Sequence, residues 1–176
     1  MVEFPGAEGG IVRLSFDPAD WVEPNTVLIV PFYHGKILFT KHQHRGWELP
    51  GGTREPDEFP IQTTIRELYE ETGGEAQAIE WIGQYCLLHP NRPEPMIKSI
   101  YVADIHRLHP LPQGFETEEI MLLDQLPNWQ SVEIDDAFSY ILKDGVYRHI
   151  VKKVKKHPFH FMGNKTLPQG PTKQES

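Results

Sequence analysis

One segment limits the fold of this chain more than any other, the run from Glu58 to Thr72. Pro60 stands near its start, where a helix makes no use of a backbone N–H. Gly73-Gly74 follows its last turn, where a left-handed residue ends a helix. With about 100° between successive helical residues, Ile61, Ile65, Leu68 and Thr72 fall on one stripe, the face predicted to pack on a core. Glu67, Glu70 and Glu71 fall within an arc of about 100° on another side. Like charges at such spacings cost about 0.2–0.5 kcal/mol per pair. Arg66, four residues before Glu70, offsets part of that cost.

The segments around this helix have strand character. Ile11 to Phe16 alternates apolar and polar residues. Thr26 to Phe32 and Lys36 to Thr40 flank His34-Gly35 and predict a hairpin. Gly46 to Gly52 is expected as one short strand closing in the turn Leu49-Pro50-Gly51-Gly52. Ala76 to Leu88 and Met96 to Ile105 are expected strands joined by a proline-rich loop, His89 to Pro95. Leu108 to Phe115 is another loop, and Ile120 to Leu123 a short apolar run. Asp135 to Leu142 and Val146 to Lys156 are expected helices, parted at Asp144-Gly145. Strands on both sides of one helix, with more helix at the end, predict α/β or α+β layers rather than a regular βαβ series. The expected organisation is a flexible arm over 1–10, a single domain over 11–157 and a partly disordered tail over 158–176.

Composition narrows the function classes. The 176 residues carry a net charge of -8, which disfavours a broad nucleic-acid surface. A phosphate-bearing substrate stays compatible with that charge where metal ions supply local positive charge. The single cysteine, Cys86, has no intrachain disulfide partner, which fits a reducing, cytoplasmic setting. It is expected as a buried thiol in the run Tyr85 to Leu88, not a nucleophile. Met1 to Gly10 lacks the basic and apolar regions of a signal peptide. No apolar stretch reaches the roughly 18 residues of a membrane span.

Three glutamates on one helix face have two readings, a solvated acidic face or a divalent-cation site. Mg²⁺ takes oxygen ligands at about 2.0–2.1 Å, commonly carboxylates together with substrate phosphates. Gly51-Gly52, just before the helix, lets the backbone approach a metal or phosphate closely. Glu58 stands where the helix dipole favours a carboxylate, either as a plain first-turn residue or as part of the site.

The stretch Gly52, five residues, Glu58, seven residues, then Arg66-Glu67-Leu68-Tyr69-Glu70-Glu71-Thr72-Gly73 resembles the Nudix box, and Trp47-Glu48-Leu49-Pro50-Gly51 resembles its usual approach. The one departure is Gly74, where the family prefers an aliphatic residue. A weaker similarity to MutT-like triphosphatases of the YtkD type runs through His44-Arg45-Gly46, Ile82-Gly83-Gln84-Tyr85, Lys98 to Ile105 and Phe115-Glu116-Thr117. The resemblance implies an α/β/α sandwich around a mixed sheet, with a catalytic loop and helix. It implies Mg²⁺-dependent hydrolysis, with Mn²⁺ as a substitute, of a nucleoside triphosphate to monophosphate and pyrophosphate. An oxidised purine such as 8-oxo-dGTP is the expected substrate.

By the same resemblance Glu67, Glu70 and Glu71 are metal ligands with the Gly51 carbonyl, and Glu67 is the general base. Arg66 orients the glutamates, Glu58 supports them, and a later acid, Glu116 in preference to Glu118 or Glu119, joins the site. The alternatives are a pyrophosphohydrolase acting on 5′-triphosphate RNA or another diphosphate-linked metabolite, and a non-catalytic nucleotide-binding module of the same fold. Retention of all three glutamates argues against the last.

Outside the box the residues leave two readings each. Lys41, His42 and Arg45 are phosphate-binding cations or solvated loop charges. His42 and His44 lack further ligands for a transition metal. Asp135-Asp136 read a purine edge or cap a helix N-terminus. Trp129, Phe32 and Tyr85 stack on a base or fill the core. Lys152-Lys153 and Lys155-Lys156 are a solvated helix end or an RNA contact, the former being the expectation. The expected partners are a nucleotide and, at most, a second copy of the chain, with no membrane.

Overall fold

The two longest β-branched runs fold as the predicted hairpin, β3 (Thr26–Tyr33) and β4 (Lys36–His42). His34 and Gly35 at its tip both take positive φ, 50° and 76°, as a tight hairpin turn requires. In the computed structural model, which describes residues 1–6 and 9–162, these strands pair only at Phe32–Ile37 and Tyr33–Lys36 and then part. The next segment fills the gap. β5 (Gly46–Glu48) pairs with β4 and β6 (Gly51–Thr53) with β3, so the stretch expected as one strand is two strands on two partners. Leu49, 3% exposed, plugs the split between them, and the Pro50 carbonyl accepts from Ile29 N at 2.8 Å.

The remaining strands extend the sheet. β7 (Gly74–Leu88) and β8 (Met96–Leu108) form a long antiparallel pair, β8 runs parallel to β3, and β9 (Thr117–Leu123) pairs with β4. β2 (Ile11–Ser15) joins β7. β1 (Val2–Pro5) joins β2 in turn, so the segment expected as a loose arm is an edge strand held by backbone pairing. Among the described residues the result is a mixed nine-stranded sheet with a helical layer on each face. α1 (Pro60–Thr72) covers Val27, Ile29, Leu38, Tyr101 and Ala103 through Leu68. On the other face α2 (Trp129–Ile134) and α3 (Tyr147–Val154) cover Leu28, Val30, Phe32, Ile100 and Val102.

α1 is rotated from its predicted setting. Thr63, Thr64, Leu68 and Thr72 are buried, while Ile61 and Ile65 are exposed. The threonines bury without polar cost because each hydroxyl has an acceptor: Glu58 for Thr63, the Pro60 carbonyl for Thr64 and the Leu68 carbonyl for Thr72. At the N-terminus Gln62 Oε1 accepts from Phe59 N at 2.8 Å. At the C-terminus Gly73 takes φ 74°. A Cβ on Gly74 would lie 2.7 Å from Ile105 Cδ1 and 2.8 Å from Thr72 Oγ1. Ile105 thus occupies the space of the missing aliphatic side chain.

The C-terminal third departs most from expectation. Asn128 caps α2 by accepting from Gln130 N, so the helix precedes Asp135 instead of starting there. Asp135 ends α2 and turns the chain by accepting from Ala137 N, leaving only one 3-10 turn, Tyr140–Lys143, of the helix predicted over 135–142. α4 (Pro158–Met162) occupies the start of the predicted tail, with His157 stacked on Phe32, and residues 163–176 lie outside those described. Cys86 is half-buried rather than buried, and burial pushes its thiol up, away from nucleophilic use. Lys152, Lys153, Lys155 and Lys156 are exposed, as expected.

The rotation of α1 predicts unequal effects from two similar truncations. Leu68→Ala is expected to cost about 2–5 kcal/mol, and Ile65→Ala less than about 1 kcal/mol. Urea denaturation of both variants checks this.

Candidate active site

Two glycines bring the sheet against the acidic side of α1. Gly51 and Gly52 pair with Leu28 and Val27 of β3. A Cβ on Gly51 would lie 2.2 Å from the Val27 carbonyl oxygen, and one on Gly52 2.2 Å from Glu67 Oε1. Any side chain at position 52 would therefore occupy the space of the Glu67 carboxylate. Gly51 N donates to Glu71 Oε2 at 2.9 Å, fixing the far end of the same face.

Arg66 gathers the acids. Its Nε and Nη2 donate to the two Glu58 oxygens at 2.7 and 3.0 Å, and its Nη1 reaches Glu67 at 2.8 Å and Glu70 at 3.4 Å. Nη2 also donates to the Thr53 carbonyl at 3.1 Å, which closes the 54–59 loop onto the helix. The Arg66 hydrogen bonds hold the Glu58 carboxyl down, to about 2. Those same bonds raise the guanidinium further above its already high value. The i,i+4 pair with Glu70, expected from spacing, is present but is the longest of the set.

Glu67 and Glu71 are not members of a solvated face. Burial pushes both carboxyls up, that of Glu71 to about 8 despite the Gly51 N–H that favours its charged form. Among the described residues no three carboxylate or imidazole groups are drawn together as a finished metal cage, since Arg66 and Gly51 hold them. The donor set nonetheless fits a hard divalent cation: Glu67, Glu70 and Glu71 supply oxygen on adjacent turns, and desolvated carboxylates gain most from a counter-charge. The absence of a side chain at Gly52 leaves the room that the Glu67 carboxylate occupies.

The rim is built from β4, β5 and two loops. His42 is buried, and its Nδ1 accepts from His44 N and Arg45 N at 3.1 and 3.3 Å. That leaves Nε2 to donate to Glu116 Oε2 at 3.0 Å. His42 thus anchors a turn and a loop carboxylate instead of presenting a free cation, and its hydrogen bond holds the exposed Glu116 below the usual carboxylate range. Lys41 pairs with Glu119 at 3.6 Å. Arg45 grips Glu48 with two nitrogens, at 3.1 and 2.8 Å. Asp135 and Asp136 are exposed on a loop tied to β5, where Trp47 N donates to Ala137 O and Ser139 N to Trp47 O. Phe32 and Tyr85 are core residues, and Trp129 packs against the same core.

Glu48 is the site residue that spacing missed. It is only 4% exposed and its charge faces Glu71. A carboxylate inside the otherwise apolar Trp47-Glu48-Leu49 run was the available signal. A cavity of about 530 Å³ lies elsewhere, lined by Phe32, Ile37, Val151 and Lys155 among others, and no carboxylate lines it.

The chain matches the NUDIX domain family model over residues 22–141. It is similar to the Bacillus subtilis (strain 168) protein named "Putative 8-oxo-dGTP diphosphatase YtkD", with 36% identity over 156 residues, 88% of this chain and 96% of that protein. Phosphatase NudJ of Escherichia coli (strain K12) is 30% identical over 88 residues, 48% of this chain and 57% of that protein. Among solved structures, a point mutant of the Bacillus subtilis pyrophosphohydrolase BsRppH superposes with a TM-score of 0.80 at 35% identity, covering 88% of this chain and 96% of that one. The NUDIX domain of Shewanella oneidensis NrtR, at 20% identity and a TM-score of 0.54 over 80% of this chain and 92% of its own, shares the fold.

The buried Glu71 carboxyl gives a signed pH dependence. Its folded value of about 8 lies above the unfolded value of about 4.3. Between the two the folded protein holds a proton that the unfolded chain has lost. The group's contribution to metal-free stability is therefore full at low pH and falls as pH rises from about 4.3 to about 8. Glu71→Gln is expected to flatten that slope in thermal unfolding with EDTA. A divalent cation bound at Glu71 would displace the same proton, so stabilisation by added metal is expected to grow over the same range.

Proposed function

The chain belongs to the Nudix hydrolase family, whose members act on nucleotide phosphoanhydrides with divalent metal ions, and from that premise we propose that it hydrolyses a nucleoside triphosphate to monophosphate and pyrophosphate with Mg²⁺. An oxidised purine of the 8-oxo-dGTP kind is the proposed substrate. The observation that carries the reaction is the desolvated pair Glu67 and Glu71, held against Gly52 and Gly51 beside Arg66. The choice of purine is supported by the 36% identity to the Bacillus subtilis protein named for 8-oxo-dGTP.

Glu67, Glu70, Glu71 and the Gly51 carbonyl would hold Mg²⁺, which when bound neutralises phosphate oxygens and makes water more acidic. The chain's own groups do the rest. Glu67, its proton affinity raised by burial, takes the proton of the attacking water. Arg66 keeps Glu67 and Glu70 in place, and Glu58 keeps Arg66 in place through two hydrogen bonds. Glu116, oriented by His42, stands ready as a later-loop acid for the same site. Arg45 is locked to Glu48, and Lys41 with Asp135 and Asp136 would meet the nucleotide base or phosphates.

The test is a substrate panel with Mg²⁺ and with Mn²⁺: 8-oxo-dGTP, dGTP, a 5′-triphosphate oligoribonucleotide and a nucleotide sugar, with products identified by chromatography. Release of pyrophosphate from 8-oxo-dGTP at the highest kcat/KM is expected. Glu70→Gln is expected to lower that kcat/KM at least about 100-fold. Faster cleavage of the RNA end would assign the enzyme to that substrate instead. Nucleotide binding without any turnover would remove the catalytic proposal.

A further inference from the structure

Lys98 has no part in the chemistry above, yet the fold sets it in the cross-strand rank next to Gly52. On β8 it stands opposite Tyr85 of β7 and beside Thr26 of β3, which pairs with Thr53 of β6. Tyr85, Lys98, Thr26 and Thr53 therefore form one rank across four strands about 4.8 Å apart, at the end of the sheet that carries Gly51 and Gly52. Alternation along β8 puts Lys98 on the face of Ile100 and Val102, under α2 and α3. Its Nζ lies 5.8 Å from the centroid of the buried Tyr85 ring.

The side chain is enclosed by protein while keeping some surface open. Three acids face it from three elements: Asp144 from the loop before α3, Glu48 from β5 and Glu71 from α1, with Arg45 opposing. Among the described residues none closes an ion pair or hydrogen bond with Lys98. Burial works against its charge, and Asp144 is the largest influence that maintains it. Asp144 is itself fixed by accepting from Val146 N at 2.9 Å. The ammonium is not among the sealed, unpartnered polar atoms of the described residues, so its donors stay open to an incoming oxygen.

Resting on the nucleotide-hydrolase reading above, we propose that Lys98 is the sheet-side anchor of the substrate. Its ammonium donates to a phosphate oxygen of the polyphosphate on the side turned away from the α1 carboxylates, and Tyr85 and Asp144 hold it in that position. The polyphosphate is then gripped from two directions, through the acidic face of α1 and by a cation on the sheet. Lys98 acts in binding and alignment and takes no part in proton transfer.

Calorimetric titration of the full chain with inorganic tripolyphosphate and Mg²⁺ tests this without any base being present. Lys98→Met is expected to weaken tripolyphosphate binding about 10- to 100-fold while leaving Tm unchanged or higher, because a buried charge has been removed. Lys98→Gln is expected to give the same loss, which covers the case of a poorly folded methionine variant, and Lys98→Arg to retain most of the affinity. In turnover assays KM rises by a similar factor for every nucleotide tested, with kcat changed less. Wild-type affinity for tripolyphosphate in Lys98→Met and Lys98→Gln would overturn the proposal, as would a loss confined to one base. Failure of the 8-oxo-dGTP reading would show differently, as loss of preference among nucleotides with the tripolyphosphate effect intact.

Discussion

The structure turns on a single guanidinium that holds three carboxylates, one of them against a glycine. Arg66 reaches Glu58, Glu67 and Glu70, and Gly52 leaves room for the Glu67 carboxylate where any side chain would collide with it. Without that clamp, carboxylates on adjacent turns would repel and turn to water. With it they stay ordered and partly dry, and much else follows. The 54–59 loop closes because Arg66 also bonds the Thr53 carbonyl. The helix settles on its threonine and leucine face because Glu58 binds Thr63 and Gly51 binds Glu71. Ile61 and Ile65 are left outside as a consequence of that orientation.

The sheet contributes the second half of the arrangement. β3 and β4 separate beyond the hairpin tip, and the 46–53 segment bridges them, one short strand on each partner. This bridging delivers Glu48, Gly51 and Gly52 to the α1 carboxylates at fixed height. Thr53 at the segment's end lies in one cross-strand rank with Thr26, Lys98 and Tyr85. A parallel pairing between β3 and β8 places the two long strands of the floor in register with the glycine turn.

Legibility in the sequence followed the range of the interactions. The helix α1 was readable because its information is local: proline and glycine at the ends, and acids at spacings of three and four. The glycine pair was readable for the same reason, since close approach demands glycine whatever the partner. The orientation of α1 was not, because hydrophobic periodicity favoured the isoleucines and could not count hydroxyl hydrogen bonds made by Thr63, Thr64 and Thr72. β1 was missed because an edge strand depends on pairing with β2, not on its own pattern. The helix expected at Asp135 lies earlier because Asn128 competes successfully as a cap and Asp135 makes a turn. Glu48 offered a local signal, a carboxylate in an apolar run, whereas Lys98 was silent because its setting comes from pairing across strands distant in sequence.

The central claim is that Glu67, Glu70 and Glu71 form a cation site and not a solvated acidic face. Titration of the metal-free protein with Mn²⁺ at neutral pH, followed by electron paramagnetic resonance of the free ion, tests it most directly. The account predicts saturable Mn²⁺ binding by the wild-type chain and its loss in the double variant Glu67→Gln, Glu70→Gln. No Mn²⁺ uptake by the wild-type chain, or equal uptake by the variant, would contradict it.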